Sequence, residues 1–172
     1  ISQVASLVSQ ELILKKLNIF NTSLIGDYGI ENPKIAVLGL NPHAGDGGVI
    51  GDEEIQTISK TIQIAKNQGI NSNGPISADG FFGSRSYMEY DGVLAMYHDQ
   101  GLIPFKTIAF DRGVNFTAGL SVVRTSPAHG VAYDIAGKNQ ASSTSFKEAL
   151  LLACDILGKR KKNFGSINKS ND

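Results

Sequence analysis

The chain has 172 residues with 16 basic and 16 acidic side chains, so its zero formal charge gives no electrostatic reason to expect nucleic acid or an anionic membrane as a partner. An apolar fraction of 41% and a charged fraction of 19% are typical of a soluble globular domain with a real core. The single Cys154 excludes an intrachain disulfide and fits a cytoplasmic protein, and no apolar run approaches the roughly 20 residues that span a bilayer.

The chain begins with Ile1 and opens directly into a helical pattern, without the layout of a signal peptide. We therefore expect a part of a longer protein, with a processed mature chain as the alternative. Ser2 can cap a first helix. The apolar positions of this helix follow helical spacing: Val4, Leu7, Val8, Leu12 and either Leu14 or Leu17. The polar stretch 20–33 holds two glycines and is interpreted as a connection.

A continuous apolar run, residues 34–40, predicts a strand that is buried on both faces. The strand leads into a glycine-rich loop, residues 41–48. Apolar residues at helical spacing then predict a helix from about Asp52 to a stop at Gly69, and an extended stretch follows over residues 70–77.

The second half of the chain continues the same pattern. A buried strand is predicted over residues 92–97 and an extended piece over 120–124, and the last helix is predicted over 143–157. The basic and polar residues 159–172 are expected to form a disordered, solvated tail rather than a binding arm. The predicted domain is therefore residues 1–158.

Apolar strands alternate with helices along the chain, which predicts an α/β fold with a mostly parallel sheet covered by helices on both faces, in three layers. Ligands of such sheets gather at the C-terminal ends of the strands. His43 and His98 each follow a predicted strand, so two histidines 55 residues apart could meet at one edge of the sheet.

Neutral imidazole is a common ligand of divalent metals, and Asp99 beside His98 could orient its ring. His43 and His98 would make two thirds of a three-ligand open site. The alternative, which spacing alone favours, is that each histidine only makes a hydrogen bond in its loop.

Glycines in the first loop suggest a second possible site. The run Gly45-x-Gly47-x-x-x-Gly51 weakly resembles a dinucleotide fingerprint, but its spacing is one residue too long. A tight turn that needs glycine explains the run equally well.

Three polar residues could hold an anionic substrate: Lys106, Asn115 and Arg124. Arginine offers a bidentate fork for phosphate or carboxylate, and lysine offers a point charge. On sequence alone, each is more often a surface charge or a loop-stabilising amide.

Five segments of the chain resemble signature segments of the 4-hydroxythreonine-4-phosphate dehydrogenases, and they occur in the same order. The likeness extends from about Ile35 to Leu157. The segments are Leu-Asn-Pro-His-Ala-Gly-Asp-Gly-Gly at 40–48, Gly-Pro-Ile-Ser-Ala-Asp at 74–79, Ala-Met-Tyr-His-Asp-Gln-Gly at 95–101, Arg-Gly-Val-Asn-Phe-Thr at 112–117 and Val-Arg-Thr-Ser at 123–126.

This resemblance implies roles for particular residues. It makes His43 and His98 ligands of a divalent metal, zinc first, with magnesium or cobalt as alternatives. It makes Lys106, Asn115 and Arg124 contacts of a small phosphorylated substrate.

The resemblance also places two aspartates, Asp79 and Asp99, close to the site. They would either orient the ligands or accept a proton.

A second likeness covers residues 128–138, which resemble the adenosine-binding loop of isocitrate and isopropylmalate dehydrogenases, enzymes of the same α/β fold class. By this likeness His129 and Gly130 line the adenine pocket, and Asp134 accepts hydrogen bonds from the ribose 2′-hydroxyl. A carboxylate there repels a 2′-phosphate, which implies NAD rather than NADP.

The family resemblance implies metal-assisted oxidation of a secondary alcohol of 4-hydroxythreonine 4-phosphate by NAD, followed by decarboxylation, in vitamin B6 synthesis. It also implies a homodimer with the site at its interface. This chain would be the C-terminal portion, and the third metal-binding histidine would lie outside it. Two alternatives remain: a relative acting on threonate or erythronate 4-phosphate, and a truncated, catalytically silent domain.

Overall fold

A sheet of three parallel strands forms the core of the structure. The computed structural model describes residues 1–110, 112–128, 130 and 133–169. The strand order is β2–β1–β3, with β1 at Ile35–Leu38, β2 at Ser72–Ile76 and β3 at Gly92–Leu94. All four residues of β1 are fully buried, which confirms the strand predicted from the apolar run.

Side chains of β1 alternate between two apolar clusters, one on each face of the sheet. Ile35 and Val37 pack with Leu17 of helix α2 (Gln10–Gly26) and Ile62 of helix α3 (Ser59–Asn67). Ala36 and Leu38 pack on the other face against Phe81 of helix α4 (Ala78–Gly83). Helices therefore cover both faces of a parallel sheet, and the predicted three-layer α/β fold is confirmed.

The N-terminal region differs from its prediction. A four-residue helix α1 (Val4–Leu7) comes first, and Ser9 caps α2 by accepting a hydrogen bond from the N–H of Leu12 at 3.2 Å. Helix α2 then runs to Gly26, so the predicted connection begins at residue 27 rather than at residue 20. Burial of Leu24 against the sheet extends the helix through a polar stretch.

The chain between β1 and β2 follows its prediction closely. A tight turn, Pro42–Gly48, leads into a π-helical turn, Glu54–Ile58, which continues directly as α3. Gly69 adopts a φ of +85° just after α3, which confirms the predicted helix stop.

Beyond β3 the sequence prediction placed its elements less well. The strand ends at Leu94 rather than at residue 97, and His98 begins helix α5 (His98–Ile108). An antiparallel hairpin follows, with β4 at Val114–Phe116 and β5 at Thr125–Pro127. The strand predicted over residues 120–124 is wrong, because these residues belong to the turn that joins β4 to β5.

The last helix, α6, spans Thr144–Lys169 and packs on the hairpin, and its Ala149 and Ile156 are buried. Its predicted start is confirmed, but the helix does not end before a tail at residue 159. Arg160 lies within it and forms an ion pair with Asp27, which lies just after α2. No helix in the described part of the chain is both long and apolar enough to cross a membrane.

Candidate functional site

The turn that carries His43 has an unusual backbone. His43, Ala44 and Asp46 adopt φ values of 52°, 52° and 46°, in the left-handed region that residues with a Cβ rarely occupy. Such residues cost on the order of 1–3 kcal/mol each and persist only where their surroundings hold them. We call residues 41–48 the histidine loop. Its strain requires strong anchoring.

A buried carboxylate supplies that anchoring. Glu54 is 2% exposed, and its Oε1 accepts hydrogen bonds from the backbone N–H groups of Leu40 at 2.7 Å and Asn41 at 2.8 Å. Its Oε2 accepts from the side-chain amide of Asn41 at 2.9 Å. Burial raises the pKa of Glu54, but the hydrogen bonds from Asn41 and Leu40 together hold that pKa below its ordinary value. Glu54 is therefore a carboxylate at neutral pH.

The Glu54 carboxylate also explains why two nearby positions, Gly39 and Gly45, are glycine. A Cβ on Gly39 would lie 2.9 Å from Oε1 of Glu54, and a Cβ on Gly45 would lie 2.7 Å from its Oε2. These glycines allow the backbone to approach an acidic side chain. A carboxylate inside the loop disfavours a bound phosphate, so the geometry supports the tight-turn interpretation of the glycine run over the dinucleotide interpretation.

His98 lies at the first residue of α5, exposed at the C-terminal side of β3. Its Nδ1 lies 2.7 Å from Oδ1 of Asp99. With the proton on Nδ1, the ring donates to Asp99, and the Nε2 lone pair is available to a ligand. This is the orienting contact that the adjacent residues suggested.

Gln100 connects the two histidine-bearing segments. Its Nε2 donates to the carbonyl of Gly39 at 2.7 Å, at the end of β1, and its Oε1 accepts from the N–H of Met96 at 2.8 Å, after β3. One side chain thus ties together the ends of two neighbouring parallel strands. His43 and His98 both follow these ends, as the strand order requires. Sequence reasoning assigned no role to Gln100, although its position beside the histidine and aspartate was a usable signal.

Asp79 lies near His43 at the first turn of α4. The hydroxyl of Ser77, and then the N–H of Gly80 and the nearby His43, hold the pKa of Asp79 below its ordinary value. A carboxylate that is stabilised in this way is a weak proton acceptor at neutral pH, so its surroundings favour an orienting role.

An open groove of about 550 Å³ lies between α4 and α5, next to both aspartates. Its lining includes Asp79, Asp99, Gln100 and Tyr97. The groove has room for a small ligand, and its mostly apolar lining carries the two aspartates together with Arg85.

The donor set fits a metal site only in part. Two exposed imidazoles can supply two nitrogen ligands. Among the residues that the structure describes, however, no three His, Cys, Asp or Glu side chains gather closely enough to hold a metal ion. The described residues therefore do not complete a three-ligand site by themselves.

Two of the three predicted substrate contacts lie on the hairpin. Asn115 in β4 is opposite Ser126, and Arg124 is opposite Thr117, whose N–H donates to the Arg124 carbonyl. Because opposite residues, and residues two apart, share a face of a hairpin, Asn115 and Arg124 project from the same face. Nη1 of Arg124 donates to Oγ1 of Thr117 at 2.9 Å. The hairpin thus brings these two residues together.

Lys106 is exposed on α5, eight residues after His98 and roughly 12 Å farther along the helix axis at 1.5 Å per residue. Within the described part of the chain, no hydrogen bond or ion pair joins Lys106, Asn115 or Arg124 to either histidine.

The predicted cofactor loop is only partly described. His129 lies outside the described residues. Asp134 is exposed in a short 3₁₀ turn, Tyr133–Ile135, and a Cβ on Gly130 would meet no atom within 4 Å. The Asp134 carboxylate is therefore accessible to a ligand.

Sequence comparison finds strong similarity over most of the chain. The family model of the pyridoxal phosphate biosynthetic protein PdxA matches residues 1–153. The 4-hydroxythreonine-4-phosphate dehydrogenase of Bacteroides thetaiotaomicron is 54% identical over 94% of this chain and 44% of its own length. The enzyme of the same name from Prosthecochloris aestuarii is 58% identical over 79% of this chain and 40% of its own length. The chain thus spans less than half the length of these curated relatives.

Solved structures show the same relationship. The 4-hydroxythreonine-4-phosphate dehydrogenase of Klebsiella pneumoniae superposes with a TM-score of 0.79 at 40% identity, over 91% of this chain and 47% of that one. A terephthalate 1,2-cis-dihydrodioldehydrogenase from Burkholderia xenovorans superposes with a TM-score of 0.69 at 29% identity, over 89% of this chain and 48% of that one. The fold therefore also occurs in a dehydrogenase named for a different substrate.

Proposed function

Because the chain belongs to the PdxA family of pyridoxal phosphate biosynthetic proteins, we propose that it contributes half of the active site of a cytoplasmic, metal- and NAD-dependent 4-hydroxythreonine-4-phosphate dehydrogenase. The reaction is oxidation of a secondary alcohol to a β-keto acid, which then loses carbon dioxide. In this proposal His43 and His98 supply metal ligands. Lys106, Asn115 and Arg124 hold the substrate's anionic groups.

The observation that carries the proposal is the Gln100 bridge. Its two hydrogen bonds join Gly39, just before the histidine loop, to Met96, just before His98. Two imidazoles with a rigid common support are suited to share a ligand, since preorganised donors bind with less loss of entropy.

A divalent metal, zinc first and magnesium or cobalt otherwise, would polarise the substrate hydroxyl as a Lewis acid when bound, and NAD would accept the hydride. His43 and His98 would hold the metal together with a ligand from outside the described residues. Asp99 would orient the ring by accepting from Nδ1, which presents Nε2 to the metal.

The substrate's negative groups need positive partners in the same site. Arg124 offers two N–H groups to a phosphate or carboxylate, and Asn115 on the same face of the hairpin orients the bound group. Lys106 adds a point charge from α5. These residues bind and align the substrate without taking part in proton transfer.

Proton transfer requires a base near the substrate hydroxyl. Asp79 and Asp99 both line the groove beside the histidines. Asp99 is engaged with His98, and Asp79 is engaged with Ser77, so each orients a neighbour in the absence of substrate. We propose that one of them takes the hydroxyl proton while the other keeps its orienting role.

Cofactor selection is proposed to lie with the loop around residues 129–134. Asp134 would accept hydrogen bonds from the ribose 2′-hydroxyl, with His129 and Gly130 beside the adenine. The supporting observation is the exposure of the Asp134 carboxylate. Replacement by lysine, Asp134→Lys, is expected to weaken the use of NAD, and unchanged NAD kinetics would contradict this assignment.

We also propose a homodimer with the site at its interface, which the resemblance to the family implies. Size-exclusion chromatography with light scattering on the whole protein tests this, and a monomer that retains activity would contradict it.

The test of function is a substrate panel with the whole protein, NAD and zinc, following NADH formation. The substrates are 4-hydroxythreonine 4-phosphate, threonate 4-phosphate and erythronate 4-phosphate. We expect the first to give the highest kcat/KM. His43→Ala and His98→Ala should each lower it by at least about 100-fold, because Lewis-acid assistance amounts to several kcal/mol of barrier. The exposed Lys60→Gln on α3 is the control and should change little.

A higher kcat/KM with threonate 4-phosphate or erythronate 4-phosphate would show that this acid, and not 4-hydroxythreonine 4-phosphate, is the substrate. No oxidation of any of the three, with metal and NAD present, would favour a catalytically silent domain. The 172-residue chain on its own is expected to be inactive in the same assay.

A further inference from the structure

The buried carboxylate of Glu54 takes no part in the chemistry proposed above. It lies at the beginning of the π-helical turn that precedes α3, and it is almost fully buried. Natural proteins rarely bury an acidic side chain unless it is fully paired. The hydrogen-bond partners of Glu54 therefore indicate its role in the structure.

The three hydrogen bonds that the Glu54 carboxylate accepts from other parts of the chain come from Leu40 and Asn41, at the start of the histidine loop. Both backbone N–H groups, of Leu40 and Asn41, donate to one oxygen, and the Asn41 side chain donates to the other. Pro42 follows directly, so a proline ring with a fixed φ connects this anchored point to His43.

The loop beyond that anchor is held in a conformation that it would not adopt alone. His43 and Ala44 are consecutive left-handed residues, and Gly45 packs against the same Glu54 carboxylate. The Glu54 carboxylate therefore contacts the chain on both sides of His43, at the start of the loop and at Gly45.

We propose that Glu54 is the positioning residue for His43. It fixes the backbone on both sides of the histidine and thereby sets where the imidazole lies relative to His98. The role of His43 as a metal ligand rests on the proposed function, whereas the mechanical link from Glu54 to His43 does not.

The test is Glu54→Gln, which keeps the size of the side chain but replaces one acceptor oxygen by a donor amide. The new amide would face N–H groups that also donate. Hydrogen exchange at the Leu40 and Asn41 amides is expected to rise by about 10- to 100-fold, as expected for loss of a charged hydrogen bond. The ring resonances of His43 should shift in NMR spectra, while those of His98 stay in place.

Cobalt affinity of the whole protein gives a second readout, and it should fall by about 10- to 100-fold. Glu53→Gln is the matched control. Its carboxylate also accepts from the Asn41 side chain, at 2.7 Å, but it has no described contact with the backbone amides. This control should change cobalt affinity by less than about fivefold.

If Glu54→Gln lowers thermal stability but leaves the His43 ring and the two amides unchanged, Glu54 is a structural residue only and the proposal is overturned. Glu54→Asp, which keeps the charge but withdraws it by one methylene, is used if the glutamine variant does not fold, and it should shift His43 in the same way. Absence of cobalt binding by the wild-type protein would overturn the proposed function, and the ring and amide readouts would still decide the role of Glu54.

Discussion

Arg160 donates a hydrogen bond from Nε to Oδ1 of Asp27 at 2.6 Å and so joins α6 to the end of α2 across 133 residues of sequence. The side chains are only 19% and 7% exposed. Nη1 of Arg160 also donates to the carbonyls of Leu120 and Ser121 in the hairpin turn. A single guanidinium therefore connects two helices and the hairpin that carries Asn115.

Arg160→Met should destabilise the chain by about 3 kcal/mol, because it leaves the Asp27 carboxylate buried with only Ser23 as its described partner. Urea unfolding measures the change. The control is Lys159→Met, since Lys159 pairs with Asp155 on the exposed side of the same helix, where ion pairs contribute about 0–1 kcal/mol.

Removing the carboxylate as well should recover part of the loss. Asp27→Asn combined with Arg160→Met leaves no unpaired buried charge, so the double variant should be more stable than Arg160→Met alone. Equal stability of both variants would show that the hairpin contacts, and not the ion pair, carry the effect.

Gly158→Ala tests whether α6 continues past the point where sequence predicted its end. A Cβ at Gly158 would meet no atom within 4 Å, and the residue is not left-handed. Alanine in a helix interior should therefore stabilise the chain by about 0.5–1 kcal/mol. Gly69→Ala is the matched contrast. Its φ of +85° should make alanine destabilising by about 1–2 kcal/mol. A loss of stability in Gly158→Ala would mean that the helix ends there.

The sequence predicted those elements that a local pattern of apolar residues or glycine specifies. The run at residues 35–38 is apolar throughout because both faces of β1 are covered, and Gly69 marks the end of α3. Elements that depend on distant partners were missed. Helix α6 continues through a basic segment because Arg160 has a partner in Asp27, and no local pattern could indicate that pairing.

The candidate site divides in the same way. The likeness of its segments to a family identified His43 and His98, and the parallel strand order explains why their segments meet. Glu54 and Gln100 were not identified, although they hold those segments in place. Both act mainly through hydrogen bonds to backbone groups of distant residues, and only the position of Gln100 beside His98 and Asp99 gave a signal in the sequence.

Thr117→Val tests the proposed role of the hairpin in substrate binding. Valine removes the hydroxyl that accepts from Arg124 but keeps the side-chain shape. Loss of this contact should let the guanidinium rotate away and raise the KM for the phosphorylated substrate by about 3- to 10-fold, with kcat nearly unchanged. Thr22→Val, at an exposed position of α2, is the control. A fall in kcat without a change in KM would show that Arg124 acts on the reacting centre instead.

Acid should weaken the histidine loop through Glu54, and the direction follows from its lowered pKa. A carboxyl group whose pKa is lower in the folded chain contributes its full stability above the unfolded pKa of about 4.3, and this contribution is lost as pH falls through the folded pKa. The comparison is urea unfolding of wild type and Glu54→Gln, since the variant lacks the titrating group.

The wild-type advantage should be about 1.5–3 kcal/mol at neutral pH, constant down to about pH 5, and should shrink below about pH 4. Burial acts on Glu54 in the opposite direction and would by itself raise the pKa. If the advantage of the wild type shrank already between neutral pH and pH 5, burial would outweigh the bonds from Leu40 and Asn41. The conformation of the histidine loop would then depend on packing and not on the charge of Glu54.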